Sequence, residues 1–146
     1  MASLSSEMLH ASSVEIGGRA VLIEGRSGSG KSDLALRLID RGARLISDDY
    51  TLVKRDKAAL LATAAPNIAG KIEVRGLGII ELGNVEDVPV GIVVTLGDPV
   101  ERIPASDVTR RIAGVAVPVV ALNGLEASAP VKVELALRQI GMPASA

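Results

Sequence analysis

Short apolar runs alternate with turn-forming residues along the chain, which is typical of a domain that mixes strands with helices. Two strand-like segments, 13–16 and 19–23, flank two glycines, and this pattern predicts a β-hairpin. Between residues 31 and 41 the apolar positions recur at helical spacing and a glycine follows, so we expect a helix that ends there. The hairpin therefore leads through a short loop into a helix.

The rest of the chain predicts further strands and one more helix. Apolar runs bounded by turn residues predict strands at 43–47, 51–53, 59–61 and 90–96. The run 112–122 contains Gly114 and Pro118, which predicts an edge strand or a bulged strand. A final helix is predicted from residue 128 or 129 to residue 141.

A glycine-rich loop joins the hairpin to the first helix. It reads Gly25, Arg26, Ser27, Gly28, Ser29, Gly30, Lys31, Ser32. This spacing, G-x-x-x-x-G-K-[ST] between a strand and a helix, is that of a phosphate-binding P-loop. Its backbone N–H groups and the helix N-terminus attract phosphate, Lys31 adds a charge, and the Ser32 hydroxyl is placed to bind Mg²⁺. The loop predicts a site for a nucleoside triphosphate such as ATP, although kinases, GTPases and motor ATPases all use such loops.

Composition narrows the class of partner. The 146 residues suffice for one domain with its own core. Cysteine is absent and the first residues lack a signal-peptide pattern, so we expect a cytoplasmic protein. No apolar run reaches the about 18 residues that cross a bilayer, so no membrane partner is expected. A formal net charge of −1, with Tyr50 as the one residue among Phe, Trp and Tyr, argues against nucleic acid as a partner.

Acidic residues near the P-loop are candidates for chemistry. Asp48 and Asp49 follow the predicted strand at 43–47, one helix after the loop. Because adjacent side chains at a strand end point apart, one carboxylate could face Mg²⁺ and the other an incoming hydroxyl. Aspartates are also common in turns for their own hydrogen bonds, so the pair alone is weakly specific. Glu73 alternates with apolar neighbours and, taken alone, is a solvent-facing strand residue.

The single histidine is His10, close to the N-terminus. Spacing alone favours a solvated or locally hydrogen-bonded side chain there. The serines at 12, 13 and 27 have no partner histidine with which to form a nucleophilic triad. The chain also has no cluster of histidines and cysteines for zinc.

Four segments, in order, carry a resemblance to a known family. They are the His10 segment, the P-loop with the acidic residue after it, the run 41–49 that ends in Ser-Asp-Asp, and the run 65–80 with the sequence APNIAGKIEVRGLGII. Through them the chain resembles the catalytic domain of bacterial HPr kinase/phosphorylase. The resemblance extends from Leu9 to Gly141 and is weaker after Gly97, and the run 65–80 is similar to the family's signature segment.

The resemblance implies a fold and a reaction. The fold would be an α/β P-loop kinase domain with a mixed, largely antiparallel sheet, similar to phosphoenolpyruvate carboxykinase. The reaction would be Mg²⁺-dependent transfer of a phosphoryl group from ATP to a serine hydroxyl of an HPr-like phosphocarrier protein. Family members assemble as hexamers, so a homo-oligomer is implied. We expect one domain over residues 1–146, with flexible ends at 1–8 and 142–146.

The resemblance also implies roles for residues in and near the P-loop. Asp48 would take the proton from the serine hydroxyl, and His10 would lie close to Asp48 and tune it. Ser32, Asp49 and Glu73 would serve the divalent metal, directly or through water.

Arginines distinguish the two directions of the family's reaction. Arg75 would stabilise negative charge or shape the signature loop, and Arg102 resembles an arginine linked to dephosphorylation. The family's late Pro-Gly-Arg-Asn turn has its nearest counterpart at 124–127, which reads Gly-Leu-Glu-Ala and lacks arginine. The kinase direction is therefore better supported than phosphorolysis. Longer members carry an N-terminal domain, so this chain is expected to be a short form.

Two other functions stay open. A non-catalytic nucleotide sensor would use the P-loop but would not need a base for an acceptor. The presence of Asp48, Asp49 and Glu73 together therefore argues against it. A small-molecule kinase is disfavoured because 146 residues leave little room for a lid that closes over a small substrate.

Overall fold

The computed structural model describes residues 5–105 and 107–144. In these residues the chain forms eleven strands and two helices. They are β1 (Ser6–Leu9), β2 (Ala11–Ile16), β3 (Arg19–Glu24), α1 (Lys31–Asp40), β4 (Arg44–Ser47), β5 (Thr51–Asp56), β6 (Ala59–Ala64), β7 (Lys71–Val74), β8 (Gly78–Glu81), β9 (Val88–Leu96), β10 (Thr109–Ile112), β11 (Val115–Leu122) and α2 (Ala129–Ile140).

Nine of the strands form one sheet. Its order is β1-β5-β6-β9-β3-β2-β4, with β11 also paired to β9 and β10 paired to β11. Strands β7 and β8 form a separate hairpin. Within the described residues the β3–β9 and β9–β11 pairs are parallel, and the seven other strand pairs are antiparallel. The expected mixed, largely antiparallel α/β fold is confirmed.

The strand that leads into the P-loop is buried on both faces. On β3, Val21 and Ile23 pack into a core formed with α1 and α2, whereas Ala20 and Leu22 face a second core formed with β5, β6 and β11. Because alternate residues of a strand point to opposite faces, this near-continuous apolar run is what a strand covered on both sides requires. The P-loop is thus attached to the most enclosed part of the sheet.

The run 112–122 differs from the expectation of one edge or bulged strand. It is the second half of a β10–β11 hairpin, and Ala113 and Gly114 form the turn with φ of +48° and +84°. Two consecutive residues with positive φ are what a tight two-residue hairpin turn demands. Pro118 lies opposite Thr109, and the later residues of β11 pair with β9.

Both ends of the described part of the chain make backbone hydrogen bonds. Residues 6–8, expected to belong to a flexible end, lie in β1 and pair with β5. At the other end the Met142 N–H donates to the Gly91 carbonyl at 2.9 Å. Residues 1–4 and 145–146 lie outside the described part. Among the described residues no helix is long and apolar enough to cross a bilayer.

Glu15 joins the β2–β3 turn to β4. Its Oε2 accepts a hydrogen bond from the Gly18 N–H at 2.7 Å, and its Oε1 accepts one from Nε of Arg44 at 2.9 Å. The Arg44 hydrogen bond lowers the pKa of the Glu15 carboxyl, against an opposing effect of burial, and the Gly18 bond lowers it further. The ionised form of Glu15 therefore stabilises the fold.

We expect Glu15→Gln to lower the free energy of unfolding at neutral pH by about 1–3 kcal/mol, because bonds to a charged group are lost. A depressed carboxyl pKa contributes stability that is present above the unfolded-state pKa and is lost as the pH falls through the folded-state pKa. The gap between wild type and variant should therefore shrink from about pH 7 to about pH 3 in urea unfolding. Exposed Glu101→Gln is the control, and an equal gap at both pH values would contradict the prediction.

Candidate active site

The P-loop follows β3 and opens α1. Gly28 and Gly30 have φ of +85° and +100°, a region that side chains with Cβ rarely adopt. The Ser29 N–H donates to the Arg26 carbonyl at 3.0 Å, and the first turn of α1 begins at Lys31. The loop and the positive end of α1 together present backbone N–H groups suited to an anion.

Lys31 is folded against its own loop. Its side chain is 5% exposed, and Nζ donates to the Gly25 and Arg26 carbonyls at 2.9 and 3.2 Å. Nζ also lies 3.7 Å from Oδ1 of Asp49. The ammonium group therefore links the loop that would hold phosphate to one of the two aspartates.

Asp48 directly follows β4 and is 7% exposed. Its Oδ1 accepts hydrogen bonds from Oγ of Ser32 at 2.6 Å and from Oγ of Ser12 at 3.0 Å. Its Oδ2 accepts the backbone N–H of Glu73 at 2.9 Å. Both carboxylate oxygens are thus engaged, and Asp48 connects the P-loop, β2 and β7.

Asp49 is oriented differently from its neighbour. It has a φ of +64°, and the Tyr50 N–H donates to the Asp48 carbonyl at 2.7 Å, which closes a three-residue turn around Asp49. Such a conformation is costly for a residue other than glycine and occurs mainly where the surroundings enforce it. The Asp49 side chain is 51% exposed and lines the cleft beside the P-loop.

His10 contacts Asp49, whereas the resemblance placed it beside Asp48. Its Nε2 lies 2.9 Å from Oδ1 of Asp49. The imidazole stacks on the Tyr50 ring, with centroids 4.8 Å apart and planes 20° from parallel. The contact occurs where the left-handed turn brings the Asp49 carboxylate to the residue that precedes β2.

A cleft of about 630 Å³ runs from the P-loop to the β7–β8 hairpin. It is lined by Ser27, Gly28, Gly30, Lys31, Ser32, Asp33, Leu36, Asp49, Glu73, Val74, Arg75, Gly76, Gly78 and Leu125. On β7, Ile72 is buried in the core and Glu73 is exposed, as strand alternation predicts. Arg75 lies in the turn after β7 rather than in the strand.

Arg102 is not brought to this cleft in the part of the chain that the structure describes. It lies on the exposed connection between β9 and β10 and is not among the lining residues. The turn at 124–127 does reach the cleft, through Leu125. Arg37 on α1 holds this turn by donating to the Gly124 and Glu126 carbonyls.

The oxygen atoms around the P-loop are of the kind that Mg²⁺ takes as ligands. Among residues 5–105 and 107–144 no three His, Cys, Asp or Glu side chains converge as a metal site of their own. The hydroxyl of Ser32 and the carboxylates of Asp48, Asp49 and Glu73 lie around the loop. Mg²⁺ takes oxygen ligands and is commonly bound through one or two carboxylates together with substrate phosphates.

Two residues of the site were missed by sequence reasoning. Ser12 and Tyr50 carry no motif, and Ser12 was considered only as a nucleophile without a histidine. The sequence carries no signal for Ser12, because its 0% exposure, and with it the need for a hydrogen-bond partner, is seen only in the folded structure. Tyr50 is the only Phe, Trp or Tyr of the chain, which could have marked it.

Comparison with known proteins places these observations in context. Residues 2–134 match the family model described as HPr Serine kinase C-terminal domain. The HPr kinase/phosphorylase of Lacticaseibacillus casei (strain BL23) is 37% identical over an alignment of 123 residues, and the match covers 75% of this chain and 39% of that protein. The HPr kinase/phosphorylase of Chlorobium phaeobacteroides is 35% identical over an alignment of 130 residues, and the match covers 80% of this chain and 40% of that protein. The chain spans about two fifths of these relatives, at 39% and 40% of their length.

One solved structure covers most of the chain. The Hpr(Ser) kinase/phosphatase from Coxiella burnetii superposes with a TM-score of 0.77 at 29% sequence identity. The match covers 90% of this chain and 88% of that one.

Proposed function

This chain belongs to the family of HPr serine kinase C-terminal domains, and from that we propose that it transfers a phosphoryl group from ATP to a serine hydroxyl of an HPr-like phosphocarrier protein. The observation that carries the proposal is that the P-loop contacts both aspartates, Lys31 reaching the exposed Asp49 of the cleft and Ser32 donating to the buried Asp48. Phosphoryl transfer needs a phosphate cradle, charge compensation and a group that takes the acceptor proton, and each need has a candidate there.

Asp48 is better suited to the metal than to the acceptor. It is buried, and its nearest side-chain donor is Ser32, the P-loop hydroxyl that would bind Mg²⁺. We expect Ser32, Asp48 and Glu73 to hold Mg²⁺, which when bound would neutralise charge on the phosphates. This exchanges the roles that the resemblance implied for Asp48 and Asp49.

Asp49 is better suited to be the acceptor's base. Its carboxylate is exposed at the cleft and faces Lys31, which in turn would bind the transferred phosphate. Asp49 would accept the serine proton as the serine oxygen bonds to the γ-phosphorus, and the bond from that phosphorus to the β–γ bridging oxygen would break to release ADP. His10, at 2.9 Å, would hold the Asp49 carboxylate in position.

The lining of the cleft favours the kinase direction. Arg75 lines the cleft near Glu73 and can compensate charge on the phosphates. Leu125 occupies the place on the 124–127 turn that faces the same cleft, and it offers no charge to inorganic phosphate. The proposal is therefore confined to transfer onto serine, and Arg102 has no part in it.

Location and assembly complete the proposal. A chain without cysteine suits a reducing compartment, and we place the reaction in the cytoplasm. The homo-oligomer implied by the family is tested by light scattering of the purified protein.

The deciding experiment incubates the protein with Mg²⁺, ATP and purified HPr from the same organism and measures intact mass. A gain of one phosphoryl group, absent when the acceptor serine is alanine, supports the proposal. Binding of ATP without transfer to the carrier would favour the nucleotide sensor. Transfer only to small hydroxyl compounds would favour a small-molecule kinase.

Glu73→Gln tests whether β7 serves chemistry or folding. Because the Glu73 side chain is exposed at the cleft while its N–H holds Asp48, the variant should unfold near the wild-type temperature yet lose roughly 10–100-fold in turnover. Phosphorylation assays sampled at fixed times measure the turnover, and thermal unfolding measures the stability. Glu81→Gln on the partner strand β8 is the matched control. Early melting of Glu73→Gln would make β7 a purely structural strand.

A further inference from the structure

One buried hydroxyl contacts both aspartates. Ser12 lies on β2 and is 0% exposed. Its Oγ donates to Oδ1 of Asp48 at 3.0 Å and accepts the backbone N–H of Asp49 at 3.0 Å. A serine hydroxyl has one donor and two acceptor positions, so both bonds can form at once. Ser12 lies outside the P-loop and has no part in the metal site proposed above.

We propose that Ser12 is a positioning residue that sets the relative orientation of Asp48 and Asp49, an inference that rests on the phosphoryl transfer proposed above. The first bond fixes the carboxylate of Asp48. The second fixes the backbone of Asp49 in its left-handed conformation, with φ of +64°. That conformation directs the exposed carboxylate toward Lys31 and His10, so Ser12 acts on the reaction only through the two acids.

Removal of the hydroxyl should disturb the two acids unequally. In Ser12→Ala, Asp48 keeps the Ser32 hydroxyl and the Glu73 N–H as donors. The Asp49 N–H loses its only hydrogen-bond acceptor among the described contacts, and only the bond from the Tyr50 N–H to the Asp48 carbonyl still closes the turn. Nucleotide binding should therefore change little, whereas the placement of Asp49 against the acceptor should be lost.

The chain supplies a matched control at the next position. Ser13 is also 0% exposed and lies on the same strand. Its Oγ lies 2.7 Å from Oγ1 of Thr51, which donates to the Ala11 carbonyl at 2.8 Å. Ser13→Ala thus removes an equally buried hydroxyl without touching either aspartate. A loss that comes merely from a weakened β2 should appear in both variants.

The experiment compares wild type, Ser12→Ala, Ser12→Thr and Ser13→Ala for kcat and KM with Mg·ATP and the phosphocarrier, and for exchange of the Asp49 amide by NMR. We expect Ser12→Ala to lose roughly 10–100-fold in kcat with KM for Mg·ATP near wild type, and to exchange the Asp49 amide faster. Ser12→Thr, which keeps the hydroxyl, should recover most of the loss. Ser13→Ala should match wild type in both measurements.

Equal effects of Ser12→Ala and Ser13→Ala on kcat, or unchanged Asp49 exchange in Ser12→Ala, would overturn the inference while leaving the proposed function intact. If wild type itself transfers no phosphoryl group, the proposed function fails, and the exchange comparison still decides whether Ser12 holds Asp49. If Ser12→Thr unfolds in a thermal scan, the comparison of the two alanine variants carries the test.

Discussion

Lys31→Ala is expected to abolish measurable phosphoryl transfer and to weaken Mg·ATP binding by roughly 10–100-fold, as loss of one or two charge-assisted hydrogen bonds implies. Lys31 is the buried cation of the P-loop, and its Nζ already contacts the Gly25 and Arg26 carbonyls. The variant loses the charge on the β/γ-phosphates and also the tie that closes the loop. Calorimetry with Mg·ATP and a phosphorylation assay measure the two losses.

Lys57→Ala is the control for this prediction. Lys57 is an exposed residue of the β5–β6 turn, remote from the cleft lining. The Lys57→Ala variant should bind Mg·ATP and transfer the phosphoryl group as wild type does. Unchanged affinity in Lys31→Ala would remove the P-loop from the proposed function, and a large loss in Lys57→Ala would assign the β5–β6 turn to the site.

The two aspartates should separate by role when each is changed to asparagine. Asp49→Asn keeps the shape of the side chain but cannot take the serine proton, so transfer should fall by roughly 10²–10⁴-fold while Mg·ATP still binds. Asp48→Asn should instead raise the Mg²⁺ requirement, because it weakens the group bonded to Ser32. The Asp48 carboxylate accepts three hydrogen bonds, and an amide in its place cannot accept all of them. The unfolding temperature of Asp48→Asn should therefore be lower than that of wild type.

The test measures the rate of phosphoryl transfer in both variants as a function of Mg²⁺ concentration. Partial rescue of Asp48→Asn by high Mg²⁺, with no rescue of Asp49→Asn, is the expected result. Rescue of Asp49→Asn alone would restore the allocation that the family resemblance implied. Thermal scans show whether the loss in Asp48→Asn exceeds what its lower stability explains.

Local patterns of the sequence predicted the elements that depend on near neighbours. The β2–β3 hairpin, the P-loop and α1 each follow from turn glycines or from apolar spacing within a few residues. The pairing of β9 with β6, β3 and β11 could not be predicted, because partners far apart in the chain are chosen by burial of both sheet faces. The β10–β11 hairpin is local but was not predicted, because three of the four residues of β10 are polar and give no apolar run.

Part of the predicted site lies together in the structure, whereas Arg102 does not line the cleft and neither Ser12 nor Tyr50 was predicted. The P-loop, Asp48, Asp49 and Glu73 do converge around one loop. The contact of His10 with Asp49 was not predictable, since it depends on a left-handed residue that strand alternation does not anticipate. Ser12 reaches both aspartates because β2 pairs with β4, a register that no local pattern specifies.

The two halves of the site stand on strands of unequal protection. The phosphate loop continues from β3, which has strands on both sides and core on both faces, whereas the aspartates follow β4, a four-residue strand at the end of the sheet order. In native proteins, terminal segments open in partial unfolding events well below the free energy of global unfolding, and central strands open last. Fraying of β4 would thus disassemble the acidic half while the anion cradle persists, so a nucleotide bound as proposed would stay on the molecule in states without the acids that transfer needs.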